Sequence, residues 1–510
     1  MTGRDSSPPV AAWLKLLTAS VLVFATWTAV RHADQPLLEF HSFRQTQTAL
    51  TSFWIMEEGP RLAYQTPVSG YPWAIPQEFP LYQMIAAAVA KAGHLDLDAV
   101  GRLLSFAFLV ACAWPATVVV ERLKLPAATA WSFCALLWSS PLYLFWGRSF
   151  MIETAALFFA FASVPFALDL VRGPSTWRSA WICAAFGTLA ALQKFTTSAP
   201  VSMVMGVLWL WSWRSAGGIR QAGRQGLLQI AAALVLPLLV AGAWTVYAGS
   251  VTRENPMGNE YAALVPRWIL GTLAQRFSGP DWITLLWHRT LAQNAGGFLG
   301  VALIAGAFAL PGPARIRAVV LTGLALFVAP LLIFTNLQFV HAYYQTGCVL
   351  FLIGGLASAV ALLQAVVPHG AVVPGITALL VASNIMEFRK SYGPMLRTRF
   401  DAAHNSTLAV AAVLREHTVP GTGIVVFGQD WSSETPYYAR RRSFAVPDWF
   451  SRYDQVWAEP AKFLGDTPLG AVVVFPGSRV IDPARIARKL ADNPGWRLLE
   501  VQGCRILLVH

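Results

Sequence analysis

Residues 40–82 read FHSFRQTQTALTSFWIMEEGPRLAYQTPVSGYPWAIPQEFPLY. Between two apolar segments of a very hydrophobic chain, this stretch carries His41, Arg44, Gln45, Gln47 and Glu78 among several aromatic residues. A connector between helices needs only a few residues, so a polar loop of this length, from 32 to 99, is expected to recognise something at a membrane surface. It is the first candidate for a site.

Composition outside that stretch sets the class. The 510 residues are 55% hydrophobic, 12% aromatic and only 13% charged, and the mean hydropathy is +0.50. In soluble domains about a quarter of residues are charged. About eleven apolar segments approach the roughly 17–25 residues that a membrane-spanning helix needs. They lie near 12–30, 100–120, 126–147, 152–171, 178–193, 197–213, 226–248, 294–310, 318–337, 342–366 and 371–387. The expected fold is therefore an all-α polytopic membrane domain, residues 1–387, with a smaller α/β domain behind it.

Topology follows from charge. The first segment contains Lys15 and lacks a small-residue cleavage site, so it is expected to stay as an anchor with the N-terminus inside. Short cytoplasmic loops carry an excess of Lys and Arg. Arg122 and Lys124, Arg172 and Arg178, Arg214, Arg220 and Arg224, and Arg315 and Arg317 fall on alternate loops, as that rule requires. The segment 81–93, LYQMIAAAVAKAG, is too short to span and is expected as a juxtamembrane helix. An odd number of spans then puts everything after about 388 outside.

Residues 388–510 change character. Apolar runs at 424–428, 471–475 and 505–509 alternate with amphipathic stretches at 406–417 and 482–493, the pattern of a small α/β domain. Its sixteen basic and eleven acidic residues give a net +5, read as an ordinary solvated surface, and so is the run Arg440 to Arg442. No nucleic-acid motif accompanies the basic balance, and nucleic acid is not expected as a partner. The five cysteines form no disulfide framework and no zinc spacing. No Gly-rich phosphate loop, serine elbow or internal repeat is present.

The remaining polar residues sort by side of the membrane. His41, Arg44 and Glu78 in the first loop, Arg148 and Glu153 in the turn GRSFMIE, Lys194 in LQKFTTS, and His341, Tyr343 and Tyr344 in FVHAYYQ all fall on the outer face of the expected topology. Ionisable groups near the hydrocarbon boundary are costly and mark function. Carboxylates beside bases at that height suit transfer from a lipid phosphate, the bases holding the phosphate and a carboxylate taking the proton of an acceptor hydroxyl.

The order of these elements resembles the GT-C membrane glycosyltransferases that use polyprenyl-phosphate sugars, in particular bacterial relatives of protein O-mannosyltransferases and of the aminoarabinose transferase acting on lipid A. The resemblance covers roughly residues 10–390 and rests on EFHSFRQTQTA, EFPLYQ, FMIET, LQKFTT and HAYYQ in that order. It implies transfer of one sugar from a polyprenyl-phosphate donor to a hydroxyl of a lipid, glycan or protein, at the outer face of the cytoplasmic membrane and with inversion. Arg44 and Lys194 would stabilise the leaving phosphate, with Gln47, Glu153, His341 and Tyr344 in the substrate site. One departure stands out. Those families carry an Asp–Glu pair a few residues before the arginine, and here His41 and Ser42 occupy that place, with Glu39 the nearest acid upstream. Glu78, Glu39 and His41 thus remain alternatives for the base, Glu78 first. No dedicated metal cluster or cofactor motif is present, and a divalent cation on carboxylates near a phosphate stays open.

Each residue also has a plainer reading. Glu78 could cap the helix beginning near Pro80, Glu153 could be a helix-start acid, and Arg44 could be an interfacial arginine. Tyr343 and Tyr344 could belong to an aromatic belt. The loop from about 249 to 293, with Trp268, Trp282, Trp287, Arg267, Arg276 and Arg289, reads as an amphipathic surface on lipid headgroups. Two other functions compete with transfer: a transporter or flippase of lipid-linked glycans, against which the nearly uncharged mid-span positions argue, and a non-catalytic scaffold whose outer domain binds a partner, which the missing Asp–Glu pair keeps open.

Overall fold

The computed structural model describes residues 8–172, 176–215, 219–367, 369–479 and 482–509. Residues 173–175 and 216–218, on which two of the expected basic loops rest, lie outside the described residues. The chain forms two compact units: Met1–Ala33 with Arg102–Ala243 and Pro266–Leu396, and Asp34–Gly101 with Trp244–Val265 and Arg397–His510.

Among the described residues, seven helices are long and apolar enough to cross a membrane: Ala12–Arg31, Leu97–Arg122, Glu153–Val171, Gln225–Glu254, Ala314–Ile333, Val349–Val366 and Val372–Ser391. An eighth results if Gly279–Asn294 and Phe298–Ala309, bent by 91°, form one span. The bend falls at Gly296 and Gly297, whose positive φ angles of 71° and 59° no helix tolerates. The other three expected segments are also helical. The segment 126–147 divides into Ala127–Ser139 and Pro141–Trp146, because Pro141 lacks the N–H needed to continue the first helix. Close helix packing in this unit depends on Gly323, where a Cβ would lie 2.6 Å from the Phe351 carbonyl oxygen.

Two expected loops are helical instead. Ser42–Glu58 is a 17-residue helix whose buried face holds Gln45, Thr46, Thr48, Thr51 and Ser52 beside Leu50, Phe53 and Ile55. A face so rich in polar residues gives no apolar period. The hydroxyls are satisfied within the helix: Thr46 donates to the Ser42 carbonyl at 2.8 Å, Thr48 to Arg44 at 3.1 Å and Ser52 to Thr48 at 3.1 Å. Gly59, at φ 87°, ends the helix and donates to the Ile55 carbonyl. The 249–293 loop likewise forms Gly258–Leu270, Leu273–Arg276, Gly279–Ile283 and Thr284–Leu291. Arg276 there donates to the carbonyls of Leu332 and Ile333, at the C-terminal end of Ala314–Ile333, where the helix dipole favours a cation.

The C-terminal sheet has five strands: β1 (Gly423–Phe427), β2 (Arg442–Val446), β3 (Leu469–Val474), β4 (Arg497–Val501) and β5 (Cys504–Leu508). Their order is β2-β1-β3-β5-β4, with β1 parallel to β2 and β3, and β5 antiparallel to β3 and β4. The three expected runs are β1, β3 and β5. Strands β2 and β4 escape a hydropathy reading because β2 opens on the arginine run and β4 is half exposed. Gln502 and Gly503, with φ of 48° and 76°, make the two-residue hairpin between β4 and β5. The central strands are buried on both faces, which explains their unbroken aliphatic runs. One face packs on Phe444, Phe427, Phe450 and Trp457, the other on Val410, Leu414, Ala439 and Ile506. Phe444→Ala, at a fully buried position, is expected to cost about 3–5 kcal/mol, read as a lowered thermal unfolding midpoint of this unit.

The same unit ties the first loop to this sheet. Ser443 and Ala445 of the edge strand β2 donate to the carbonyls of Pro67 and Val68, and Gly70 donates back to Ser443. Residues 67–70 thus cover the edge that β2 would otherwise leave open. Gly70 has φ 74°, and a Cβ there would stand 2.7 Å from the Phe463 carbonyl oxygen. The Tyr437 hydroxyl donates to Asp98 at 2.5 Å, and Ser42 donates to Glu434 at 2.6 Å. The arginine run is not a solvated face: Arg440 is exposed, but Arg441 is buried and donates to the Thr418 hydroxyl and carbonyl, and Arg442 is half-buried in an ion pair with Glu58.

Candidate functional site

Helix Ser42–Glu58 projects Arg44 and Gln47 from its first turns toward the segment that carries Gln77 and Glu78. The Arg44 guanidinium spends its two ends on three acceptors. Nη1 donates to Gln47 Oε1 at 2.7 Å and to Gln77 Oε1 at 3.2 Å, and Nη2 pairs with Glu78 Oε1 at 2.6 Å. The pair is mostly withdrawn from water, with side chains 11% and 22% exposed, which strengthens a charge-assisted bond of this kind. Arg44 is therefore not a snorkelling residue. Glu78 is not a helix cap either, since the helix Leu81–Gly93 begins on Pro80 without any side-chain cap.

Tyr64 fixes the backbone beneath the carboxylate. Its hydroxyl donates to the Glu78 carbonyl and accepts from the Gln77 N–H, both at 2.9 Å. Burial, reinforced by the negative charge of Glu78, pushes this phenol well above its usual range, so it remains a donor at any ordinary pH. Gln77 is held further by its Nε2 donating to the Tyr261 hydroxyl at 2.8 Å and its carbonyl accepting from Trp244 at 2.9 Å.

These groups surround a small cleft, open to solvent and lined by Arg44, Gln47, Thr48, Thr51, Gln83 and Glu78 among others. Apart from the ion pair, which is internally neutral, the polar groups of its wall are hydroxyls and amides. Gln83 is 4% exposed, and its Oε1 has no hydrogen-bond partner among the described residues. Such a wall suits an uncharged group that donates a hydrogen bond.

The other two candidates for a base do not line this cleft. Glu39 is 2% exposed. His41 stands at the N-terminal boundary of the helix with φ 50°, its ring 6.3 Å from Phe40 and 6.2 Å from Phe43.

The second cluster belongs to the other unit. Glu153 opens the helix Glu153–Arg172, and Lys194 closes Trp177–Gln193. The two form a buried ion pair, with side chains 3% and 5% exposed. The Lys194 ammonium lies 4.2 Å from the centroid of the Tyr344 ring and 5.4 Å from that of Tyr343, in reach of a cation–π attraction. His341 stacks on Tyr343 at 5.2 Å and meets Trp268 at 5.5 Å. Tyr343 and Tyr344 thus roof a buried ammonium and do not form an aromatic belt. Both cations expected to meet a phosphate, Arg44 and Lys194, are each paired with a carboxylate. No group of three or more His, Cys, Asp or Glu side chains able to hold a metal ion occurs among the described residues.

No protein-family model matches this sequence, and no curated protein matches it. Solved structures do. ArnT from Cupriavidus metallidurans bound to undecaprenyl phosphate aligns with a TM-score of 0.63 over 98% of this chain and 98% of that one, at 15% identity. The fold is that of the GT-C glycosyltransferases. The GT-C arabinofuranosyltransferase AftD from Mycobacteria aligns with a TM-score of 0.58 and 16% identity over 100% of this chain and 40% of that one. The archaeal oligosaccharyltransferase AglB from Archaeoglobus fulgidus, in complex with an inhibitory peptide and a dolichol-phosphate, aligns with a TM-score of 0.54 and 12% identity over 90% and 69%. With this GT-C fold and its long apolar helices, the chain is a multi-pass membrane protein.

Several site residues escape a reading of the sequence. Tyr64, Thr51, Thr66 and Gln83 reach the cleft from separate segments with no shared spacing, and Tyr261 meets Gln77 across 184 positions. Gln77 alone had a signal, its place beside Glu78.

Proposed function

We propose that this protein is a glycosyltransferase of the cytoplasmic membrane that moves one sugar from a polyprenyl phosphate to the hydroxyl of a lipid, glycan or protein acceptor. In this reading the eleven apolar segments cross or enter the membrane, the N-terminus lies inside, and the first loop and the C-terminal domain lie outside. The observation that carries it is the Arg44–Glu78 pair in a cleft lined by hydroxyl and amide groups, within a GT-C fold. ArnT and AglB, the structures named above, hold undecaprenyl phosphate and a dolichol-phosphate, and a lipid phosphate is the natural leaving group here.

Glu78 is the base. Arg44 holds one carboxylate oxygen, which orients the other for the acceptor. The acceptor O–H gives its proton to Glu78 as its oxygen bonds to the anomeric carbon, and the bond from that carbon to the phosphate oxygen breaks, the electron pair leaving with the lipid phosphate. Attack opposite the leaving group inverts the anomeric centre. In the other unit, Lys194, Tyr344, Glu153 and His341 are assigned to donor binding, with the Lys194–Glu153 pair supplying a buried cation. A divalent cation on the donor phosphate remains part of the proposal.

Mass spectrometry of envelope glycolipids and glycans tests this in the host with the gene deleted and restored. Loss of a single sugar increment on deletion, regained on restoration, is expected and identifies sugar and acceptor. An unchanged envelope would favour a scaffold, and accumulation of an intact lipid-linked precursor would favour transport.

A further inference from the structure

Arg442, the first residue of β2, reaches out of the C-terminal sheet into the first loop and meets four of its side chains. It pairs with Glu58, donates from Nε and Nη2 to Gln65 Oε1 at 3.3 and 3.1 Å, and lies over the rings of Trp54 and Trp73 at 4.5 and 5.9 Å. Gln65 closes the ring of contacts by donating to Glu58 Oε2 at 3.0 Å. Glu58 is the last residue of helix Ser42–Glu58. A carboxylate there faces the negative end of the helix dipole, so its placement is explained by the guanidinium opposite it.

The contacts continue toward Glu78. Gln65 forms an antiparallel bridge with Ala74, and the next residue, Thr66, donates to the Trp73 carbonyl at 3.0 Å. The residue before it is Tyr64, whose hydroxyl holds the backbone of Gln77 and Glu78. From the same helix that ends on Glu58 comes Arg44, which holds the Glu78 carboxylate. Both supports of Glu78 therefore run back to one guanidinium on the edge of the C-terminal sheet.

We infer that Arg442 is a positioning residue for Glu78, acting through Gln65 and Tyr64, and that the C-terminal sheet is the rigid frame of the candidate active site. The inference rests on the reading of Glu78 as the base. A displacement of about 1 Å at a reacting group lowers rates by roughly 100-fold, so a residue that never touches substrate can govern the reaction. Lysine does not replace arginine here, because an ammonium lacks the planar fork that meets Glu58 and Gln65 together while stacking on Trp54.

The test uses the full-length protein in two assays. Transfer is read in cells as the ratio of modified to unmodified acceptor, and backbone order is read on purified protein by amide hydrogen exchange of peptides covering 60–80. Arg442→Gln and Arg442→Lys are each expected to lower transfer roughly 10- to 100-fold and to speed exchange in 60–80 roughly tenfold, while Arg497→Gln, at an exposed position of β4, changes neither. Tyr64→Phe is expected to give a similar loss, and the double variant Arg442→Gln with Tyr64→Phe to lose no more than the larger single one, as residues on one path are not additive. Additive losses, full transfer in Arg442→Lys, or unchanged exchange at 60–80 would each overturn the inference. The exchange arm keeps the two readings apart. Faster exchange in Arg442→Gln with transfer indifferent to Glu78→Gln removes Glu78 as the base and leaves the frame standing, whereas loss of transfer in Glu78→Gln with unchanged exchange in Arg442→Gln sinks the frame and leaves the base standing.

Discussion

Glu78→Gln is expected to lower sugar transfer by roughly 100- to 10,000-fold, the usual contribution of a positioned base, in protein that inserts and folds normally. The amide fits the same space and can still accept from Arg44 at its oxygen, so the loss isolates proton acceptance from geometry. Arg44→Ala acts differently. It removes the hub that Gln47, Gln77 and Glu78 share at 2.7, 3.2 and 2.6 Å and leaves a largely withdrawn carboxylate without its counter-charge, at a cost of about 3–5 kcal/mol. Its transfer falls together with its stability. Arg44→Lys keeps the charge but cannot serve three acceptors from two ends, and is expected to hold stability better than activity. Restoring the deleted gene in each form, with envelope mass spectrometry as readout and membrane protein levels as control, separates these cases. Full transfer by Glu78→Gln would move the base to Glu39 or His41, and the same substitutions at those positions would then decide between them.

The second large effect lies in the other unit. Lys194→Met leaves Glu153, 3% exposed, as an uncompensated buried charge and is expected to destabilise the protein by about 3–5 kcal/mol. Glu153→Gln alone is expected to do the same from the other side, stranding an ammonium under the Tyr343 and Tyr344 rings. The pair replaced together, Glu153→Gln with Lys194→Met, should recover most of that stability, because no charge is then left buried. Thermal unfolding in detergent measures the stability and envelope analysis the transfer. Recovery of stability without transfer assigns the pair to function; recovery of both makes it a packing element and removes Lys194 from the donor site.

How much of this was legible beforehand depended on the kind of signal each residue leaves. The apolar segments are visible because a helix facing lipid must be apolar for its full length, and β1, β3 and β5 because a strand buried on both faces reads as one aliphatic run. Helix Ser42–Glu58 was hidden by its own solution to burial, a face of threonines and a serine whose hydroxyls donate back to carbonyls of the same helix. Arg44, Glu78, Glu153 and Lys194 could be singled out because charge is scarce in such a chain and therefore informative. Their pairing could not, since 34 residues separate the first two and 41 the second.

The sequence by itself determined that this chain is a many-helix membrane protein with a small α/β domain, because composition and hydropathy act locally and every window of the chain reports them. Only the tertiary structure decided that Arg44 holds Glu78, that Tyr64, Thr51 and Gln83 share its cleft, and that the edge of the C-terminal sheet supports the loop carrying them. Those are contacts between segments far apart in sequence, fixed by hydrogen-bond geometry and burial in three dimensions, and no periodicity along the chain encodes them.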